Sequence, residues 1–538
     1  MKGALRLTRL ALRRDRIQLP IWIAGAMLLL YAGAAAVKDE FPTEADAATA
    51  LKGAVTSPAV LLMRGVPVGV TQGALVNFRN YASLLVLVAL MSTFLVVRHT
   101  RQNEETGRSE LIGSAAVGRH AGLVAALTHA LIANVLMGLF LTLALLGAGL
   151  PAAGSVAWGA ASVLTGMSFA GIAALAAQVF STARAANGFA ALTIGVAYFV
   201  RGVGDALGEI GPDGIRVTST WVAWMSPLGW GEQVRPYGDE RWWALIIPLL
   251  FTLACAAGAY ALVNRRDLGA GLVPARLGPP AASRSLLSPT GLAWRLQRGT
   301  VIGWVIGGAV FGYGIGTLGN TVNDAFEENK GVADLMGQLA GGASGGLVDV
   351  FYAAMMAIFG VLAAGFAVQV LLRLRSEETA GTAEAALATA TGRVQWVASH
   401  LTIAVGGAVL LLAASGLAMG LGDLSTGGQT SVGTLVGAAL VQLPAALTVA
   451  GFVVLAFGAL PRISVALAWT GLVVSIVFGM LGDLFGLPQA ARDISPFSHV
   501  PAVPVADPAV GPLAALLVVA IVLTVGGLAL FRRRDLSS

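Results

Sequence analysis

The chain has 538 residues, 56% of them hydrophobic and 12% charged, with a formal net charge of +6 and 1 cysteine. Soluble domains carry roughly a quarter charged residues, so this composition and a mean hydropathy of +0.79 exclude a soluble globule. The single Cys255 excludes a disulfide framework within the chain. The histidines, His99, His120, His129, His400 and His499, show neither HxH nor HExxH spacing, which argues against a zinc enzyme.

An Arg-rich stretch, Lys2, Arg6, Arg9, Arg13, Arg14 and Arg16, precedes the first apolar run. Runs long enough to cross a hydrocarbon core, roughly 17 to 25 residues each, are predicted near 17–37, 81–98, 121–148, 155–180, 186–204, 242–263, 300–318, 351–372, 396–421, 432–457, 463–485 and 511–531, which makes twelve spans. Arginines gather at alternate ends of these runs, from Arg98, Arg101, Arg108 and Arg119 to Arg532, Arg533 and Arg534. They read as topology signals rather than a nucleic-acid footprint, and the positive-inside rule puts both termini in the cytoplasm. The opposite side is acidic after the first span of each half, with Asp39, Glu40, Glu44 and Asp46, then Asp324, Glu327, Glu328 and Asp334. The basic start and Gly33-Ala34-Ala35-Ala36 also have the outline of a signal peptide, but the apolar run is long for one and its counterpart at 300–318 is internal. Arg in place of Lys and abundant Ala, Gly and Val suit a bacterial source, hence the bacterial cytoplasmic membrane.

Anchors recur in order along the chain. Leu10-Ala11, Arg13, Arg16 and Trp22 match Leu292-Ala293, Arg295, Arg298 and Trp304; Glu104-Glu105-Thr106 matches Glu377-Glu378-Thr379; and Arg119 matches Arg393. Arg184 then matches Arg462, Gly204-Asp205 matches Gly482-Asp483, Ser226-Pro227 matches Ser495-Pro496, and Arg265-Arg266-Asp267-Leu268 matches Arg533-Arg534-Asp535-Leu536. The expected architecture is an all-α polytopic membrane protein of twelve transmembrane helices in two parallel-repeat six-helix halves, 1–268 and 291–538, joined by a cytoplasmic linker at 269–290.

The charged loop between the second and third spans of each half has acids near its start and Arg at its end, the polarity that a short helix favours. On Glu104, Glu105, Glu110 and Arg119, and on Glu377, Glu378, Glu384 and Arg393, together with the basic amphipathic start, the chain resembles the permease subunit of ABC-2 type exporters. It looks like two such units fused, as in double-length actinobacterial antibiotic and multidrug efflux permeases, the tetronasin-efflux type included. The resemblance implies the ABC-2 (type V exporter) fold, with those two groups forming coupling helices that dock a separate ABC ATPase subunit, two copies per chain. It implies amphipathic connecting helices at 5–16 and 292–298, and a re-entrant external region around Ser226-Pro227 and Ser495-Pro496. The second loop has one extra residue and lacks Arg108, so the two ATPase contacts are expected to be unequal.

The chain contains no G-x-x-x-x-G-K-[ST], so ATP and magnesium are expected on the partner, and no cofactor, metal or catalytic residue on this chain. Its expected cargo is a hydrophobic or amphipathic small molecule, because few charges lie within the spans. His129, Phe169, Phe189, Tyr198 and Phe199 are candidate path residues, each with a packing role as the alternative. Asp205 and Asp483 are expected to end helices and face external water, and the glycines at 303, 307, 308 and 312 to form close-packing faces. The main competing reading is a twelve-span, ion-coupled secondary drug carrier, although the usual G-x-x-x-D-R-x-G-R-R loop is missing. A membrane-embedded enzyme would need paired carboxylates, and the external acids follow no catalytic spacing.

Overall fold

A computed structural model describes residues 3–273, 278, 280–319, 347–480, 482 and 487–535. Asp324, Glu327, Glu328, Asp334 and Asp483 lie outside the described residues. The chain divides into two compact units, Met1–Gly278 and Pro279–Ser538.

In the first unit six helices are long and apolar enough to cross a membrane: Gln18–Glu40, Gln72–Glu105, Ala121–Gly147, Ala152–Val179, Ala183–Ala206 and Trp242–Val263. The second unit has five, Pro289–Gly316, Val348–Thr379, Arg393–Ser425, Val432–Ala459 and Val510–Arg533, and a shorter apolar helix, Ser464–Met480. Among the described residues the spanning helices therefore number eleven, against the twelve expected. The eleventh predicted run, 463–485, extends past Met480 into residues that are not described.

Burial follows the same order in both units. The second and fourth long helices are the core, 67% and 72% buried in the first unit and 61% each in the second. The last helix of each is the most exposed, at 22% and 17%, as a lipid-facing helix should be. Small residues let the third helix approach the fourth: a Cβ on Gly138 would meet the Gly159 carbonyl oxygen at 2.8 Å. Of the glycines in the seventh predicted span, Gly308 and Gly312 pack against Leu411 and Ser415, whereas Gly303 and Gly307 face open space. The expectation that all four form close-packing faces thus holds at Gly308 and Gly312 and is corrected at Gly303 and Gly307, because Pro289–Gly316 turns only one side to Arg393–Ser425.

Before the last long helix of each unit, a serine caps a short turn and bonds to a carbonyl of the preceding apolar helix. Ser226 Oγ donates to the Ala197 carbonyl at 2.6 Å, and Ser495 Oγ to the Ser475 carbonyl at 2.7 Å. In the first unit this region also carries a two-residue antiparallel pair, Glu209–Ile210 against Val217–Thr218. Asp205 does not face water as expected. It is fully buried, ion-paired to Arg201 at 3.0 Å and accepting from Ser219 Oγ at 2.7 Å. Glu232 joins the cluster 3.4 Å from Arg201, and a charge so buried persists only when paired in this way.

Candidate functional site

The charged loops form the most regular polar feature in the chain. Each contains a glycine in the left-handed region, Gly107 at φ 71° and Gly381 at φ 72°, where a side chain would be strained. Each glycine opens a six-residue helix, Arg108–Gly113 in the first unit and Thr382–Leu387 in the second. In each, the glycine N–H bonds at 3.1 Å to the carbonyl of a glutamate three residues before it, Glu104 and Glu378.

That glutamate lies between two arginines. Glu104 pairs with Arg101 at 2.9 Å and with Arg266 at 2.6 Å; Glu378 pairs with Arg375 at 3.1 Å and with Arg534 at 2.8 Å. Arg101 and Arg375 end the second long helix, while Arg266 and Arg534 follow the last one. Arg119 and Arg393 add a second tie to the same place, donating to the carbonyls of Arg266 at 2.8 Å and Arg534 at 2.7 Å. The loop is thus stapled to the polar end of the last helix in each unit.

Alignment on the first glutamate pairs Glu104 with Glu377. Counting from the glycine instead equates Glu104 with Glu378, Glu110 with Glu384 and Arg101 with Arg375. The extra residue of the second loop is taken up before its glycine, so Glu377 turns to Arg373, at 2.9 Å, and to His400, at 3.6 Å. Glu105 is exposed and accepts from the Ala183 N–H at 3.0 Å, where the start of a helix favours a carboxylate. Glu110 and Glu384 lie exposed on the short helices, and Glu378 is buried rather than solvent-facing.

The candidate path residues are not brought together. Phe169 is buried in the core, Tyr198 donates to the Met63 carbonyl beneath the Arg201 guanidinium, and Phe189 and Phe199 are exposed. His129 is fully buried and bonded to Asp15, which places it in a polar hub.

Asp15 was not singled out by the sequence, although it is the lone acid among the six basic residues of the opening stretch. It ends the amphipathic helix Ala4–Arg14 and is fully buried. Its Oδ2 accepts from His99 Nε2 at 2.6 Å and His129 Nε2 at 3.0 Å, and Arg98 lies 3.1 Å from Oδ1. Burial pushes the carboxyl up, yet the bonds from His129 and His99 and the charges of His99 and Arg98 hold it well below the usual carboxylate range. The three ligand atoms lie within 4.8 Å of one another, a donor set that zinc can use. With Arg98 on the second oxygen, the carboxylate charge is also matched by protein groups alone. The hub breaks the chain direction between Ala4–Arg14 and Gln18–Glu40. In the second unit Gln297 occupies the matching place inside one continuous helix, its amide donating to His400 Nδ1 at 2.8 Å.

Eleven long apolar helices among the described residues, with ion pairs at their polar ends, define a multi-pass helical membrane protein. A family described as "Multidrug efflux system permease Rv1217c, C-terminal domain" matches residues 286–532. Over 537 residues the chain is 38% identical to the multidrug efflux system permease protein Rv1217c of Mycobacterium tuberculosis (strain ATCC 25618 / H37Rv), covering 99% of this chain and 95% of that protein. The chain belongs to this family of multidrug efflux system permeases.

Proposed function

We propose that the chain is the membrane permease of an ATP-driven exporter that moves hydrophobic or amphipathic drugs out of the cell, its two halves forming a parallel repeat. A separate ABC ATPase, two copies per chain, supplies hydrolysis. The observation that carries this reading is the recurring staple: in both units a glycine-started helix at the end of the second span is tied to the end of the last span. Such a helix is a rigid lever, because a push on it reaches two spans through charge-assisted hydrogen bonds. Glu104 and Glu378 hold the lever in place, and the exposed Glu110 and Glu384 present carboxylates to arginine or lysine on the ATPase. The relative's name, a multidrug efflux permease, supports drugs as cargo and the outward direction, and the few charges within the spans support a hydrophobic or amphipathic cargo.

Glu110→Arg combined with Glu384→Arg leaves the staples intact, so the double variant should fold and reach the membrane at wild-type levels. ATPase association and drug resistance should both fall at least about tenfold, the cost of like charges facing each other across an interface. Unchanged association and resistance in a well-folded double variant would sink the coupling assignment.

A further inference from the structure

The first unit holds a cavity of about 830 Å³ beside its staple. Its walls come from the helix Ala4–Arg14, the short helix Arg108–Gly113, the start of Ala121–Gly147 and the end of the last span. Five arginines line it, at 13, 14, 108, 119 and 266, against two carboxylates, Glu104 and Asp267. Glu104 is already committed to Arg101 and Arg266. Arg14 bonds to Asn103 at 2.8 Å, and Arg119 donates to the Arg266 carbonyl. Among the described residues, Arg13 and Arg108 have no hydrogen-bond or ion-pair partner. Burial lowers the Arg14 guanidinium from its ordinary value, and the nearby positive charges of Arg108 and Arg98 lower it further. Polar residues His99, Thr100, Asn103, Ser109 and Gln178 also line it, and the apolar part of the wall includes Leu7, Leu10, Ile112, Val117, Leu123 and Val263.

We infer that this cavity binds the phosphate headgroup of an anionic phospholipid, with Arg13 and Arg108 contacting the phosphate oxygens and the leucines of the amphipathic helix covering the start of an acyl chain. Arg13 and Arg108 are exposed in the wall of a half-open cavity, and guanidinium groups without a protein partner there suit an oxyanion, which they bind with forked hydrogen bonds. The level fits, because the cavity lies where spans end and headgroups begin. An apolar edge argues for a lipid rather than a free anion: Leu10, in the wall, is 55% exposed. The second unit keeps Arg295 at the position matching Arg13 but has Leu296 and Thr382 where Arg14 and Arg108 stand, so the pair of contacts belongs to the first unit alone. One lipid per chain is therefore expected. The inference rests on the chain's place in a membrane and not on the ATPase reading.

The test reconstitutes the full chain in nanodiscs of phosphatidylcholine with a minor fraction of phosphatidylglycerol, releases it into mild detergent, and counts retained lipids by native mass spectrometry. Wild type should keep one phosphatidylglycerol. Arg13→Gln and Arg108→Gln should each weaken retention roughly fivefold and the pair multiplicatively, while Arg13→Lys with Arg108→Lys restores most of it. Arg184→Gln, at an exposed arginine outside the cavity, should change nothing. Retention unchanged in the double glutamine variant, or lost equally in Arg184→Gln, would overturn the site. Displacement of the lipid by inorganic phosphate with the same arginine dependence would overturn the lipid assignment in favour of a soluble anion. Loss of a bound ATPase from the double glutamine variant, with no lipid on the wild type, would make the cavity a protein-docking groove and overturn it too.

Discussion

The two staples share their geometry and differ in their surroundings. In the first unit the Glu104–Arg266 pair borders a cavity, and Arg266 is also held by Gln178 Oε1 at 2.8 Å and the Ala270 carbonyl at 3.0 Å. In the second unit Arg534 lies 5.0 Å over Phe457 and 5.2 Å over Phe531, and among the described residues its side chain hydrogen-bonds to Glu378 alone. The same Arg-Glu-Arg arrangement is thus backed by further hydrogen bonds in one unit and by aromatic rings in the other. The lesson is that the ion-paired glutamate is kept while the support of its outer arginine diverges, with a cavity beside the first staple and ring stacking at the second. The connecting segments diverge likewise, with a charged hub around Asp15 in one and a neutral Gln297–His400 pair in the other.

The sharpest way to break this comparison is to remove the glutamates. Glu378→Ala leaves the Arg534 side chain without its one hydrogen-bond acceptor among the described residues and should cost about 2 to 4 kcal/mol, whereas Glu104→Ala should cost about 1 to 2 kcal/mol, because Arg266 keeps Gln178 and the Ala270 carbonyl. Unfolding of each variant in detergent measures both, and equal losses would erase the distinction between the hydrogen-bonded and the ring-stacked staple.

A smaller contrast is expected at the connecting segments. Asp15→Ala should cost about 2 kcal/mol and speed hydrogen exchange in Ala4–Arg14, since it leaves two buried imidazoles without their acceptor; Gln297→Ala should cost about 1 kcal/mol and leave exchange in Pro289–Gly316 nearly unchanged. Comparable exchange in the two helices of the variants would show that the hub does not hold the first. The smallest effect is the one that should be equal in both units: Gly107→Ala and Gly381→Ala should each cost about 1 kcal/mol, because both glycines occupy left-handed backbone. Tolerance of alanine at only one of them would mean that the two short helices are not built alike.

Much of the helical plan was legible, since hydropathy acts on each segment separately and the apolar runs stand out one by one. The charged loops were legible as well, because they interrupt those runs. Their partners were not. Glu104 and Arg266 stand 162 residues apart and Glu378 and Arg534 stand 156 apart, and nothing local distinguishes those arginines from others gathered at the same ends of the spans. The register error at Glu377 arose from lining up identical letters, whereas the backbone lines up on the glycine that can adopt positive φ. Asp205 was misplaced because an acid at the end of an apolar run resembles a helix stop, and its burial depends on Arg201 one turn before it and Ser219 on the following hairpin. His129 was singled out as a path residue, but its hub with His99 and Asp15 was not foreseen, because the metal motifs sought are close in sequence, whereas these three residues come from three different elements.

The most direct measurement is to purify the tagged chain from native membranes in mild detergent and quantify co-purifying proteins by mass spectrometry. The account predicts a P-loop ATPase at about two copies per chain, lost on Glu110→Arg with Glu384→Arg. An intact, monodisperse chain that repeatedly carries no ATPase, yet confers drug resistance sensitive to the proton gradient, would contradict it and identify an ion-coupled carrier instead.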